Sequence, residues 1–210
     1  MATFSDDFNR ANENLSVSAN WPVASGKTTL AIVSNVVRAT ATATDSGNRV
    51  ATAIGNDQYA RIRVATWGSS ANNYQWTAVR QASAANTQYN GYMTTEAGKT
   101  SYLSKKIAGT ETQFAEENAT TWAANDTCET RAEGTAVALY RNGASLLSAT
   151  DSAIASGSLA VNQYVSTVLA DVEFDDFIGG DITVAPTVAQ YIPPTISQLG
   201  AGGFIGRTYV

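Results

Sequence analysis

Residues 128–159 read C-E-T-R-A-E-G-T-A-V-A-L-Y-R-N-G-A-S-L-L-S-A-T-D-S-A-I-A-S-G-S-L. Two alternating segments flank Asn142-Gly143. Asn-Gly is a strong short-range hairpin signal, because both central residues of a type I′ turn need positive φ and these two tolerate it. A two-residue turn sets Leu139 opposite Leu146 and Val137 opposite Ser148, with the apolar pair on one face. The stretch therefore reads as a β-hairpin.

The rest of the chain continues in the same manner. Tyr59–Trp67 alternates, with Ala60, Ile62 and Val64 on one face and Tyr59, Arg61, Arg63 and Trp67 on the other. Tyr74–Gln81 puts Tyr74, Trp76 and Arg80 opposite Gln75, Thr77 and Val79. Further strands are expected at residues 3–8, 30–34, 36–42, 49–54, 89–95, 102–108, 110–117, 121–124, 158–161 and 167–178. Turn clusters such as Asp45-Ser46-Gly47-Asn48 and Glu96-Ala97-Gly98-Lys99 separate them. Strand–turn units recurring roughly every 8–12 residues, with no convincing helix, indicate an all-β antiparallel sandwich or barrel.

Composition narrows the chemistry. The 210 residues suit one sandwich of ordinary size, and 44% apolar residues supply its core. Charged residues reach only 15%, leaving a neutral surface rich in Ala, Thr, Ser and Asn. A net charge of −5 without a basic run argues against nucleic acid as a partner. Histidine is absent, which removes Ser-His-Asp and Cys-His nucleophile systems and the commonest zinc ligand. The lone Cys128 excludes an intramolecular disulfide and reads as a small buried apolar residue. The opening M-A-T-F-S-D-D-F has neither the basic nor the apolar region of a signal peptide, and no apolar run approaches a membrane span.

Beyond Gly179-Gly180 the character of the chain changes. Residues 181–210 hold three of the four prolines, yet also Tyr191, Ile192, Ile196, Phe204 and Tyr209. Pro and Gly oppose a helix, while a solvated linker would be less apolar. The division expected is a β domain over 1–180 and an extended arm over 181–210. The arm lies either on its own domain or on a neighbouring subunit, through those five apolar side chains. Docking onto a partner, by main-chain pairing and apolar anchors, is favoured.

Four segments carry a resemblance to a known family. They are F-S-D-D-F-N-R-A-N (4–12) with Trp21, Tyr59–Trp67 followed by N-N-Y-Q-W (72–76), residues 125–143 with S-A-I-A-S-G-S-L (152–159), and V-E-F-D-D-F (172–177). Together they resemble the concanavalin A-like lectin/glucanase superfamily, in particular the laminin-G-like jelly rolls of bacterial and phage proteins. The resemblance spans roughly residues 3–180 and departs from the pattern at Ala160, where a second Gly is usual. It implies a two-sheet antiparallel jelly-roll sandwich whose closing strand pairs beside the first. The arm lies outside it.

The superfamily's glucanases carry E-x-D-x-x-E or a near relative on their catalytic strand, and D-V-E-F-D-D (171–176) is a poor substitute. No catalytic residue is therefore assigned and no cofactor is expected. Asp6, Asp175 and Asp176 are weak candidates for a structural Ca²⁺, if the first and last strands are neighbours. Arg61, Arg63, Trp67 and Trp76 are the candidate ligand-binding residues, since aromatic planes stack on sugar rings and Arg donates to hydroxyls. Tyr74, Arg80 and either Tyr89 or Tyr92 extend that face. The function expected is a non-enzymatic structural or decoration protein on the surface of a phage-like particle. Its arm would hold it to other subunits, as a homo-oligomer or part of a larger assembly, and it could contact host glycans. A carbohydrate-binding module is the alternative and a glycoside hydrolase the less favoured third.

Overall fold

The computed structural model of the protein describes residues 2–182. The Asn142-Gly143 turn is present, with φ of 52° and 79° at the two residues. It joins β12 (Ala136–Arg141) to β13 (Ala144–Thr150). Tyr140 pairs with Ser145, but a bulge follows, so Leu139 faces Leu147 and Val137 faces Ala149 rather than Leu146 and Ser148. One extra residue on the second strand shifts the register by one beyond the bulge.

Asn142 does more than accept a positive φ. Its Oδ1 takes the Thr127 N–H at 2.8 Å, and its Nδ2 donates to Asp126 at 2.7 Å. Asp126 also accepts from Arg141 Nη2 at 2.7 Å and from the Ala123 amide at 2.9 Å. Burial penalises this carboxylate, but the hydrogen bonds from Asn142, Arg141 and Ala123 outweigh that and hold its pKa below the ordinary value. A depressed folded pKa contributes stability above the unfolded pKa, lost as pH falls through the folded one. Asp126→Asn is thus expected to cost about 2 kcal/mol at neutral pH. It should also flatten the acid limb of stability below about pH 4, as urea unfolding at a series of pH values would show.

The chain builds two antiparallel sheets. Its strands are β1 (Thr3–Asp6), β2 (Glu13–Asn14), β3 (Leu30–Val33), β4 (Val36–Ala39), β5 (Ser46–Arg49), β6 (Gln58–Trp67), β7 (Tyr74–Gln81), β8 (Gln88–Thr94), β9 (Ser101–Ile107), β10 (Thr110–Glu117), β11 (Thr127–Glu133), the hairpin β12–β13, β14 (Ser158–Tyr164) and β15 (Val172–Asp181). The larger sheet runs β13-β12-β11-β6-β15-β4-β3-β2, with β1 paired to the far half of β15. The smaller runs β10-β9-β8-β7-β14-β5. First and last strands are neighbours, Phe4 opposite Gly179 and Asp6 opposite Phe177.

The alternation of Tyr59–Trp67 follows from this arrangement. Ala60, Ile62 and Val64 are wholly buried between the sheets with Val79, Tyr89, Met93, Leu159 and Val161 from the other side. A Thr77–Thr130 hydroxyl bond of 2.6 Å crosses the same interior. Cys128 is buried there, and burial pushes its thiol up to about 12, so it packs as an apolar residue.

Other expected strands shift or vanish. The strand expected over 49–54 lies earlier, at Ser46–Arg49, and residues 121–124 form no strand. Trp122 is instead buried in that loop, its indole N–H donating to the Ser101 hydroxyl at 2.9 Å. β15 ends at Asp181, whose carboxylate accepts the Ala2 N–H at 2.7 Å and the Gly55 N–H at 2.5 Å. The arm expected over 181–210, with Tyr191, Ile192, Ile196, Phe204 and Tyr209, otherwise lies outside the described residues.

Candidate functional site

The four residues expected to share a binding face do not share one. Arg61 and Arg63 are on β6 of the larger sheet, and Trp76 is on β7 of the smaller. Consecutive strands commonly pair, but here the 68–73 link crosses from one sheet to the other. The outward face of β6 and that of β7 therefore look in opposite directions. Trp67, at the end of β6, is half-buried against the small cluster of Ala39, Val165 and Val172. Arg80 also leaves the expected face. A β-bulge against β14 and a φ of 54° turn its guanidinium into the end of the sandwich.

On the larger sheet the arginines are committed. Arg63 donates to Asp175 at 2.5 Å and to Asp176 at 2.6 Å, and Arg61 lies 3.8 Å from Glu129. A depression of about 560 Å³ bounded by Asp6, Asp7, Arg61, Arg63 and Asp176 sits over this clamp. Burial, with Asp176 alongside, raises the Asp175 pKa despite the guanidinium. Asp6 accepts from Arg10 and from the Trp21 indole N–H, each at 2.7 Å. The first and last strands thus bring Asp6, Asp175 and Asp176 to one end of the sheet, but cationic and indole donors occupy them. Among the described residues no group of three or more His, Cys, Asp or Glu side chains is placed to hold a metal ion.

The outward face of the smaller sheet is different. Cross-strand registers align Asn162, Trp76, Tyr92 and Tyr102 in one row, with Tyr164, Tyr74 and Thr94 beside it. These residues alternate with the core-facing Val79, Tyr89, Met93, Leu103 and Val161, so the aromatic rings stand outside the main core. Tyr92 and Tyr102 stack in parallel, 4.1 Å between centroids and 9° between planes. Trp76 leans on Tyr92 at 4.7 Å, and Tyr74 meets Tyr164 edge-on at 5.9 Å. They line a groove of about 510 Å³ whose walls carry Asp45, Asn72, Glu96, Lys106 and Glu111.

Polar groups along the groove are arranged in pairs. The Tyr74 hydroxyl donates to Glu96 at 3.0 Å, and Lys99 lies 3.1 Å from the same carboxylate. Glu111 accepts from the Ser104 hydroxyl at 2.5 Å and lies 3.7 Å from Lys106. Lys27 pairs with Asp45 and places its ammonium 4.9 Å above the Trp76 ring. Burial, aided by Glu96, pushes the Tyr74 phenol up to about 12; burial raises Tyr102 further, so both hydroxyls stay protonated at neutral pH. Three carboxylates face three ammonium groups, so the groove carries no strong charge of either sign.

Of the expected face, Trp76, Tyr74 and Tyr92 belong to this groove. Tyr89 points into the core, its hydroxyl donating to Asp151 at 2.6 Å. Sequence reading misses Tyr102, Tyr164, Lys27, Asp45, Glu96 and Glu111. The period-two pattern of Gln88, Asn90, Tyr92 and Thr94 held part of the signal. The partners across the ladder, and the loop residues above it, had none.

No protein-family model matches the chain, and a search of curated proteins finds no match. Solved structures are similar in fold. The carbohydrate-binding module CBM66 from Bacillus subtilis superposes with a TM-score of 0.57 at 18% identity, over 78% of this chain and 94% of that one. A β-1,3-1,4-glucanase (lichenase) from a mouse hindgut metagenome gives 0.58 at 8% identity, over 87% and 100%. A Bacillus subtilis protein of galectin-like fold gives 0.61 at 8%, over 85% and 94%. The chain shares their fold, an all-β antiparallel two-sheet jelly-roll sandwich. Binding modules and hydrolases both stand among its structural neighbours.

Proposed function

We propose that the protein is a carbohydrate-binding module that holds a neutral glycan in the groove on the outward face of its smaller sheet. The observation that carries this is the cluster of Tyr74, Trp76, Tyr92, Tyr102 and Tyr164 outside the main core, lining a groove with paired polar side chains. Trp76, Tyr92 and Tyr102 are themselves buried and form the floor, while the partly buried Tyr74 and Tyr164 present aromatic surface suited to stacking against the apolar faces of sugars. Hydroxyls, carboxylates and amines along the walls suit sugar hydroxyls, and their balanced charge favours an uncharged chain.

A binding rather than a hydrolytic role is supported by the carboxylates themselves. Asp45 is engaged by Lys27, Glu96 by Tyr74 and Lys99, and Glu111 by Ser104 and Lys106. General acid catalysis needs a carboxyl free to face the glycosidic oxygen, and these three are already engaged by ammonium and hydroxyl groups. Attachment to a phage-like particle would be the task of the apolar arm expected over 181–210. It is compatible with this reading, because the groove lies on the smaller sheet and β15, the last described strand, belongs to the larger.

The test is binding to a glycan array, followed by titration with a β-1,3-1,4-glucan, chosen because one structural neighbour is a β-1,3-1,4-glucanase. Tyr164→Ala and Tyr74→Ala are each expected to weaken binding about tenfold, from the loss of an aromatic contact of roughly 1 kcal/mol or more. Arg61→Ala, on the opposite sheet, is expected to leave it unchanged. Equal weakening by all three substitutions, or no glycan bound, would refute the assignment.

A further inference from the structure

One segment lies across the smaller sheet without belonging to it. Ala24, Ser25, Gly26 and Lys27 form a turn closed by the Lys27 N–H to the Ala24 carbonyl at 3.1 Å. Both flanks are tied to the β5 edge, Ala24 N–H to Gly47 O at 2.9 Å and Thr28 N–H to Asp45 O at 3.0 Å. From that edge the tip reaches over the sheet. Gly26 lies against Asn86 of the β7–β8 connection, and Lys27 sits above Trp76 with its side chain only 1% exposed.

The outward face that the strap crosses carries side chains that should meet solvent. Gln88, Asn90 and Asn162 point outward from the sheet, Asn162 opposite Trp76, Asn90 opposite Ala78 and Gln88 opposite Lys106, yet all three are wholly buried. Their amides are poorly satisfied: neither polar atom of Gln88 or Asn162 has a hydrogen-bond partner, and neither does Asn90 Oδ1. The Trp76 indole N–H in the same row is also without one. Buried amides are normally partnered, and such unpartnered amide atoms on one outward face are the donor and acceptor set a polar ligand would satisfy.

We propose that the Ala24–Lys27 strap is a lid over a second, amide-lined subsite formed by Gln88, Asn90 and Asn162, which receives the hydroxyl-rich continuation of a glycan chain when the strap lifts. The inference rests on the glycan-binding reading and extends it from a short groove to a longer one. Lifting requires only local changes. The Lys27–Asp45 pair and the Gly26–Asn86 contact break, while the hydrogen bonds of Ala24 and Thr28 to the β5 edge remain as hinges. Lys27 leaves the Trp76 ring as it moves, so the same step uncovers the indole for stacking. Burial of Lys27 lowers its pKa, which is consistent with an ammonium held where it is imperfectly solvated.

The geometry supplies a direct test. A Cβ at Gly26 would lie 3.8 Å from that of Asn86, within disulfide span. The variant Gly26→Cys/Asn86→Cys locks the strap when oxidised and frees it when reduced; the buried Cys128 stays out of the exchange. Binding is measured by calorimetry with β-1,3-1,4-linked glucan chains of two and six sugar units. The reduced form is expected to bind the six-unit chain about tenfold more tightly than the oxidised form, with the two-unit chain unaffected. Equal six-unit affinity in both redox states would overturn the lid. The φ of +72° at residue 26 disfavours Cys, so Lys27→Ala serves as a second variant. It should raise six-unit affinity severalfold more than two-unit affinity, and no such difference would also overturn the lid. If neither chain binds any form, the glycan-binding reading itself fails, a result distinct from length-independent binding.

Discussion

Trp21→Ala is expected to destabilise the domain by about 4–5 kcal/mol, a large share of the 5–15 kcal/mol typical of a folded domain. The indole is wholly buried at the junction of the first and last described strands. Phe4 meets it edge-on at 5.2 Å and Phe177 at 5.0 Å, and Phe8 lies at 5.8 Å. Its N–H donates to Asp6, so the same side chain holds the β1 backbone and the closing strand β15 together. Truncation leaves a cavity among three aromatic rings and withdraws one donor from a partly buried carboxylate. Trp21→Phe should cost less, about 1–3 kcal/mol, since most of the packing survives and chiefly the hydrogen bond goes. Urea midpoints of the three proteins check the order. A Trp21→Ala loss under 2 kcal/mol would show that the terminal strands are not coupled through this residue.

Arg80→Met is expected to cost about 3–5 kcal/mol. The guanidinium is 3% exposed and joins three separated pieces of chain. Nε donates to Asn56 O at 2.9 Å, Nη1 to Ile154 O at 2.8 Å and Nη2 to Gly134 O at 2.8 Å. Asp57 lies 3.6 Å away as the nearest carboxylate. Methionine has a similar stem but leaves three carbonyls without that donor, the one at Ile154 in a buried position. Arg80→Lys should recover little, because one ammonium cannot span three diverging acceptors as the planar fork does. Hydrogen exchange offers a local readout. Amides around Gly134 and Ile154, distant in sequence from the substitution, should lose protection together, whereas a purely local defect at β7 would leave them unchanged.

These two residues also mark how far the sequence could be read. Trp21 is legible as an apolar anchor after a polar loop, and the alternation of Tyr59–Trp67 places Ala60, Ile62 and Val64 inside. The Asn-Gly turn is equally legible, because positive φ at consecutive residues is a local requirement. Arg80 is not. Simple alternation puts it on the face of Trp76, and the bulge that re-aims it arises from a register mismatch with β14, a strand about eighty residues later. The shift of Leu139 from Leu146 to Leu147 is a similar case, since a single extra residue in the partner strand carries no strong sequence mark.

The groove divides along the same line. Period-two patterns identify which side chains of a strand share a face, so Tyr74 and Trp76 could be grouped from their spacing. They do not show which sheet the strand joins. Arg61 and Trp76 are fifteen residues apart and on like-looking strands, yet the 68–73 crossover sets them on opposite outer surfaces of the sandwich. The carboxylates of the first and last strands, Asp6, Asp175 and Asp176, do come to one end of the larger sheet, where Arg10, Trp21 and Arg63 satisfy them.

Backbone propensity, turn chemistry and hydrophobic alternation act over a few residues, and they were sufficient for the all-β class, most strands, the hairpin and the buried set. Pairing across the ladder joins Trp76 to Asn162 and Tyr92, and the turn at Gly26 brings Lys27 over that ring. Such contacts arise from long-range closure of the two sheets, where the free energy of burying a shared core selects among pairings that local patterns leave equivalent.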